Sequence, residues 1–157
     1  MDIENLKEIN TTLNMIKVKD IMSRFAITTT RETSVTDLAH LLMRFKISGV
    51  PVVNSNKEII GIVTATDLFE VMRNIIEKIK DESEQRVGEK VFVKDIMTTK
   101  VFFASKDASL FEALKLMCDK NIHTLPVVSG KEIIGVIGRR DVINAFYAKE
   151  NQVSPKR

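Results

Sequence analysis

The 157-residue sequence has no Trp, one Tyr, one Cys, two His and three Pro. A single cysteine excludes a disulfide framework and any multi-cysteine zinc site within one chain. With only His40 and His123, a three-histidine metal centre is excluded as well. No stretch reaches the roughly 18 apolar residues of a membrane span, because charges interrupt every apolar run. Charge of one sign is also scarce: 24 Lys and Arg against 21 Asp and Glu leave a net +3. Without a focused basic stripe, nucleic acid is not an expected partner. The opening Met1-Asp2-Ile3-Glu4 lacks the basic and apolar stretches of a secretory signal, so the expectation is a soluble cytoplasmic protein with no membrane partner. What is present is a 44% hydrophobic content, enough for a globular core. At this length that means one ordinary domain or two very small ones.

The chain repeats itself. Val18-Lys19-Asp20-Ile21-Met22 returns letter for letter as Val93-Lys94-Asp95-Ile96-Met97. The same offset carries Ser34 onto Ser109, Ile47 onto Ile122, and Pro51-Val52-Val53 onto Pro126-Val127-Val128. After one deletion, Lys57-Glu58-Ile59-Ile60-Gly61 matches Lys131-Glu132-Ile133-Ile134-Gly135, and Asp67 falls on Asp141. Two five-residue identities in one order and at nearly one spacing mark a tandem duplication.

Each copy reads β-α-β-β-α. An extended lead-in (Ile27-Thr28-Thr29; Val101-Phe102-Phe103) precedes a helix opened by Ser34 or Ser109, with Asp37 or Glu112 three residues on, as in a capping box. Apolar residues then recur at helical spacing: Val35, Leu38, Ala39, Leu42 and Met43 in one copy, Leu110, Ala113, Leu114 and Met117 in the other. Hairpins follow over 50–53 with 59–63, and over 125–128 with 133–137; their near-continuous apolar strands suit a buried sheet. A second helix starts near Asp67 or Asp141. The expected fold class is α/β (α+β): two such repeats related by pseudo-twofold symmetry, sheets packed together, because one copy buries too little surface alone. Ile3, Leu6, Ile9 and Leu13 predict an amphipathic helix over 1–15, docked on the tandem or on a second subunit. The repeats then occupy 16–80 and 91–149, with a charged linker at 81–90 and a polar tail at 150–157.

The most pointed feature is Gly61-Ile62-Val63-Thr64-Ala65-Thr66-Asp67, where a strand meets a helix. Backbone N–H groups and the positive helix end suit a phosphate there. A Thr64 hydroxyl can bond a phosphate oxygen, and the Asp67 carboxylate can accept both hydroxyls of a ribose. The plain alternative is a capping box with Thr64 at the N-cap and Asp67 at N3. The second copy, Gly135-Val136-Ile137-Gly138-Arg139-Arg140-Asp141, loses the Thr but keeps the Asp. A reciprocal cap gives little reason to keep one member alone, whereas a sugar-binding carboxylate would be kept; first-turn Asp is also favoured by the helix dipole, so both readings stay open.

These residues resemble a known family. Paired Asp-Ile-Met, helices opening Ser-Val or Ser-Leu, Ile47-Ser48-Gly49-Val50-Pro51-Val52-Val53 with Ile122-His123-Thr124-Leu125-Pro126-Val127-Val128, and Gly-x-x-Thr-x-x-Asp look like a tandem of CBS (cystathionine β-synthase) domains, a Bateman module, over about 17–148. The resemblance implies a stand-alone, non-enzymatic regulatory module. Its clefts between the two repeats would bind AMP, ADP, ATP or S-adenosylmethionine as regulatory ligands and signal to a partner protein by conformational change, in a homodimer. Carried over residue by residue, the first site would use Asp67 for ribose and Thr64 for phosphate, with Ile27, Ser48, Gly49, Val50 and Pro51 around the base. The second would use Asp141, with Phe102, His123, Thr124, Leu125 and Pro126. There Arg139 and Arg140 are candidate phosphate partners, and a backbone N–H at Gly138 stands in for the missing hydroxyl. The first site matches the family pattern better.

Other residues take plainer readings. Cys118 replaces Met43 under the repeat offset and is expected in or near the core, with no base to make it a nucleophile. His40 is expected at the surface, and Met22 and Met97 as packing residues. No nucleophile–base pair, paired acids or metal set suggests an enzyme. The competing reading is a dimerisation or partner-docking module whose nucleotide sites are empty or degenerate.

Overall fold

The computed structural model describes residues 3–80 and 90–153. In chain order the elements are α1 (Ile3–Met15), α2 (Val18–Ile21), α3 (Val35–Phe45), β1 (Gly49–Val53), β2 (Ile59–Thr64), α4 (Ala65–Lys80), α5 (Val93–Ile96), β3 (Ala104–Ser105), α6 (Leu110–Asp119), β4 (Thr124–Ser129), β5 (Glu132–Gly138) and α7 (Arg139–Val153). They form two compact units: one of Ile27–Val101, the other of residues 1–26 with 102–157.

These units are not the repeats as they run along the chain. The first Val-Lys-Asp-Ile-Met segment, α2 and the residues after it, folds with the second hairpin: the Val18 N–H donates to the Ala108 carbonyl (2.9 Å), and Ser23 and Val136 exchange backbone bonds (2.9 and 3.1 Å). The second segment folds with the first hairpin. There the Val93 N–H donates to the Thr33 carbonyl (2.8 Å), and Ile62 and Thr98 exchange two bonds of 2.9 Å. Val18 and Val93 are fully buried, each in its host unit's core.

In the Ile27–Val101 unit, β1 and β2 pair antiparallel, Gly49 opposite Thr64 and Val50 opposite Val63, with a bulge at Val52/Val53. Thr29 adds one parallel bridge to Val52. The hairpin turns through Asn54, whose Oδ1 accepts the N–H groups of Asn56 and Glu58, and through Lys57 at φ 60. All five β1 residues are buried, whereas β2 buries only Gly61 and Val63, as a strand near an edge does. Leu38 and Leu42 of α3 close the core with Val50, Val52, Val63 and Val93.

In the other unit β4 pairs antiparallel with β5, Thr124 opposite Gly138, again with a bulge, at Val127/Val128. β3 pairs parallel with β4 at Ala104 and Ser105, beyond the Val101-Phe102-Phe103 lead-in where an extended segment is expected. The shift is physical: Ala104 is small and buried against Val127, while Phe103 stays exposed. Helix α1 packs on α6 through Leu13, with Ile9 half-buried and Leu6 largely exposed. At the other end, α7 continues to Val153, into the stretch read from sequence as a tail. Of the linker read at 81–90, all but Lys90 lies outside the described residues, as do 154–157.

The serine caps form. Ser109 accepts the Glu112 N–H (3.1 Å) while Glu112 accepts the Ser109 N–H (2.7 Å), a full box that holds the Glu112 carboxyl below the usual range. Asp37, one methylene shorter, accepts the Ser34 hydroxyl instead (2.7 Å). Cys118 is exposed, contrary to the core position expected for it. Its counterpart Met43 is itself 65% exposed, so an apolar counterpart said nothing about burial; α6 buries Leu110, Ala113 and Met117, and Cys118 lies off that face.

Gly61 and Gly135 mark where the exchanged segments press on the hairpins. A Cβ on Gly61 would lie 2.9 Å from Met97 Sδ and 3.1 Å from the Thr98 carbonyl oxygen. One on Gly135 would lie 2.6 Å from Met22 Sδ and 2.8 Å from the Ser23 carbonyl oxygen. A thioether chain can move aside; a ladder-bonded carbonyl cannot without breaking its bond. Gly135→Ala is therefore expected to destabilise by about 1–3 kcal/mol, and by more than Gly61→Ala, in urea unfolding. Equal stability of Gly135→Ala and the parent chain would contradict the close packing.

Candidate functional site

Each unit carries one strand-to-helix junction. In the first, β2 ends at Thr64 and α4 begins at Ala65. The Ala65 N–H donates to the Ser48 carbonyl (2.8 Å), tying the helix start to the residue before β1. Thr64 donates twice to one oxygen of Asp67: its N–H at 2.7 Å and its hydroxyl at 3.0 Å, both to Oδ2. The carboxylate thus sits half-buried at the positive end of a 16-residue helix. Among the described residues its Oδ1 accepts no hydrogen bond, leaving an acceptor in reserve.

The structure brings Thr64, Asp67, Ser48 and Gly49 together, since Gly49 also pairs with Thr64 across the hairpin. The remaining first-site residues lie inward. Val50 is fully buried in the core, Pro51 is fully buried too, and Ile27 packs half-buried against the same cluster.

The second junction keeps the frame and changes the side chains. The Gly138 N–H donates to Asp141 Oδ2 (2.8 Å), and the Arg139 N–H reaches the His123 carbonyl (3.3 Å). Thr124 pairs with Gly138, Leu125 with Ile137 and Pro126 with Val136; Leu125 and Pro126 are fully buried and Thr124 nearly so. Arg139 Nη2 lies 3.3 Å from His123 Nδ1. A guanidinium only donates, so in this contact Nδ1 is the accepting atom. Arg139 and Arg140 are exposed. Phe102 has Lys120 Nζ 5.4 Å above its ring, and Lys120 stands where the first copy has Phe45.

The second junction also revises an argument from sequence. Asp141 caps α7 through the Gly138 backbone N–H, without any hydroxyl. Keeping the Asp while losing the Thr is therefore what capping alone permits, and does not by itself single out a sugar-binding carboxylate. Among the described residues no three His, Cys, Asp or Glu come together as metal ligands, and no helix is long and apolar enough to cross a membrane.

With this geometry the CBS domain family model matches twice, over residues 18–74 and 93–148. The chain belongs to the CBS domain family. It is 30% identical to an uncharacterised protein of Methanocaldococcus jannaschii, over 90% of this chain and 97% of that one. It spans 63% of a Methanopyrus kandleri relative and 23% of an inosine-5′-monophosphate dehydrogenase of M. jannaschii, so the pair also occurs within longer proteins. Among solved structures, a CBS domain pair in complex with 5′-methylthioadenosine and S-adenosyl-L-methionine matches at TM-score 0.73 and 25% identity, covering 85% of this chain and 97% of that one. CBSX2 in complex with AMP matches at TM-score 0.70 and 28% identity, covering 86% and 98%. CBS pairs similar to this chain therefore hold adenosine compounds.

Position 138 offers a direct test of the junction. A Cβ there would meet only Asp141 Oδ2 at 3.7 Å and the His123 carbonyl at 3.9 Å, ordinary contacts, and the residue's φ is not in the left-handed region. Gly138→Thr is expected to restore the hydroxyl-to-carboxylate bond of the first junction and to raise stability by about 0.5–1.5 kcal/mol, read as a higher thermal midpoint. A lowered midpoint would show that the two junctions are not equivalent.

Proposed function

We propose that this CBS pair is a non-enzymatic regulatory module that binds adenosine-type ligands at its two junctions and signals to a partner protein through the resulting change. The carrying observation is the Asp67 carboxylate, fixed by Thr64 at the start of α4 with Oδ1 still accepting nothing among the described residues. Ribose hydroxyls are donors that this oxygen suits, and the helix N-terminus beside it suits a phosphate or another electron-rich group. The bound AMP, S-adenosylmethionine and methylthioadenosine of similar pairs support the ligand class. In this reading Thr64, Ser48 and Gly49 surround the first ligand, with Val50, Pro51 and Ile27 contributing backbone and apolar walls. Asp141, Gly138, Arg139, Arg140, His123, Thr124, Phe102, Leu125 and Pro126 form the second site. Coupling follows if ligand binds one conformation of the pair better than another.

A second reading, a dimerisation or docking module with empty sites, draws on two observations. Both Asp residues are already accounted for as helix caps. Moreover, Phe69, Met72, Ile75, Ile76 and Ile79 leave an exposed apolar stripe along α4, and Ile143 and Tyr147 are exposed on α7. Apolar positions on corresponding helices of both repeats suit a second copy of this chain, and a homodimer is compatible with either reading.

Thermal unfolding against AMP, ADP, ATP, S-adenosylmethionine and 5′-methylthioadenosine separates them. A ligand that binds only the folded state adds about 2.7 kcal/mol at a hundredfold excess over Kd, so the midpoint must climb with concentration. Asp67→Ala lowers the unliganded midpoint through the lost cap, so the readout is the ligand-induced shift, which is expected to shrink. A flat midpoint with every compound would leave the docking module.

A further inference from the structure

The two junctions share one backbone and differ in charge. At the positions of the first unit's Ser48, Ala65 and Thr66, the second unit has His123, Arg139 and Arg140. Where Phe45 stands in the first, Lys120 stands in the second, and it lies over the ring of Phe102. Two permanent cations and an imidazole thus stand at one junction, at positions where the other has a methyl and two small hydroxyl side chains. The first unit does carry cations nearby, but elsewhere: Arg44 lies over the Phe45 ring at the end of α3, and Lys46 follows it. In the second unit the matching end of α6 has Asp119, which is engaged by Lys115 (2.6 Å). Both units carry cations at these helix ends, so the charge difference at the strand-to-helix junctions rests on Arg139 and Arg140.

Resting on the adenosine reading, we propose that the two sites sort ligands by phosphate charge. The Asp141 site takes adenosine di- or triphosphate, and the Asp67 site takes adenosine ligands with one phosphate or none. Arg139 and Arg140 are the specificity-determining residues. Each presents a planar fork of donors matched to phosphate oxygens. Both are exposed, so they reach a solvent-facing phosphate tail without an added burial cost. Among the described residues the Arg139 guanidinium has one hydrogen-bond contact, at 3.3 Å to the His123 ring, which a phosphate oxygen would replace with a shorter, charge-assisted bond. The missing hydroxyl at Gly138 is then no defect, because guanidinium groups do the work of Thr64. At the first junction the positions of Arg139 and Arg140 hold Ala65 and Thr66, so there a long phosphate tail meets the helix end and hydroxyls where the second junction offers two guanidinium groups.

Calorimetric titration of the full chain with ATP and with 5′-methylthioadenosine tests this. In Asp67→Ala, where the Asp141 site remains, ATP is expected to bind at least about tenfold more tightly than methylthioadenosine. Adding Arg139→Ala and Arg140→Ala is expected to collapse that ratio; both side chains are exposed, so the fold is not at risk. In Asp141→Ala the remaining site is expected to show no preference for ATP. An unchanged ATP preference without the two arginines, or an ATP preference at the Asp67 site, would overturn the proposal. Tripolyphosphate, which has no nucleoside, reads the cationic cluster separately. Should no adenosine compound bind, the adenosine reading fails and this probe decides: tripolyphosphate binding lost in Arg139→Ala/Arg140→Ala supports the phosphate-holding role, and none to the parent chain overturns it.

Discussion

The close approach of a carbonyl to a glycine sets the geometry of both junctions. Ser23 exchanges backbone bonds with Val136, and Thr98 with Ile62, so each second hairpin strand has a short extended segment along its outer side. That contact requires a residue without a side chain at Gly135 and Gly61, since a Cβ would fall within 2.8 and 3.1 Å of the carbonyl oxygens. Covering this edge satisfies donors and acceptors that an open strand would leave exposed. It also fixes the course of β2 and β5, and hence where each strand passes into its helix. Thr64 and Gly138, Asp67 and Asp141 take their positions from that passage.

At the junction itself a carboxylate caps the helix, and this alone accounts for an Asp in both copies. Capping and the proposed ligand binding do not compete. Thr64 uses one oxygen of Asp67, and a cap made in advance holds the carboxylate rigid before any ligand arrives, which lowers the entropy lost on binding. A shared frame carries different side chains, hydroxyl-bearing at Thr64 and cationic at Arg139 and Arg140, so the proposed difference in ligand preference requires no change of fold.

What could be read from the sequence was local or periodic. The duplication, the hairpins, the serine caps and the Thr64–Asp67 contact follow from spacing and side-chain chemistry a few residues apart. The exchange of segments was not legible. The two Val-Lys-Asp-Ile-Met copies are identical, so either satisfies either hairpin, and nothing local distinguishes the pairings. Burial of Cys118 does not follow from its counterpart, because Met43 is apolar yet exposed. The position of β3 depended on whether Ala104 or Phe103 fits beside Val127, a packing choice that alternation does not reveal. Nor does sequence separate a strand's backbone from its side chains: Val50, Pro51, Leu125 and Pro126 lie near the junctions in register while their side chains fill the interior.

The account's central claim is that this CBS pair holds an adenosine compound through Asp67 and Asp141. Native mass spectrometry of the purified chain, incubated with AMP, ATP and S-adenosylmethionine in turn, tests it most directly. The account predicts discrete added masses equal to one or two ligands per chain, lost when Asp67 and Asp141 are both replaced by Ala in protein that still folds. Spectra with no added mass for any of the three, or the same added masses in the double variant, would contradict it.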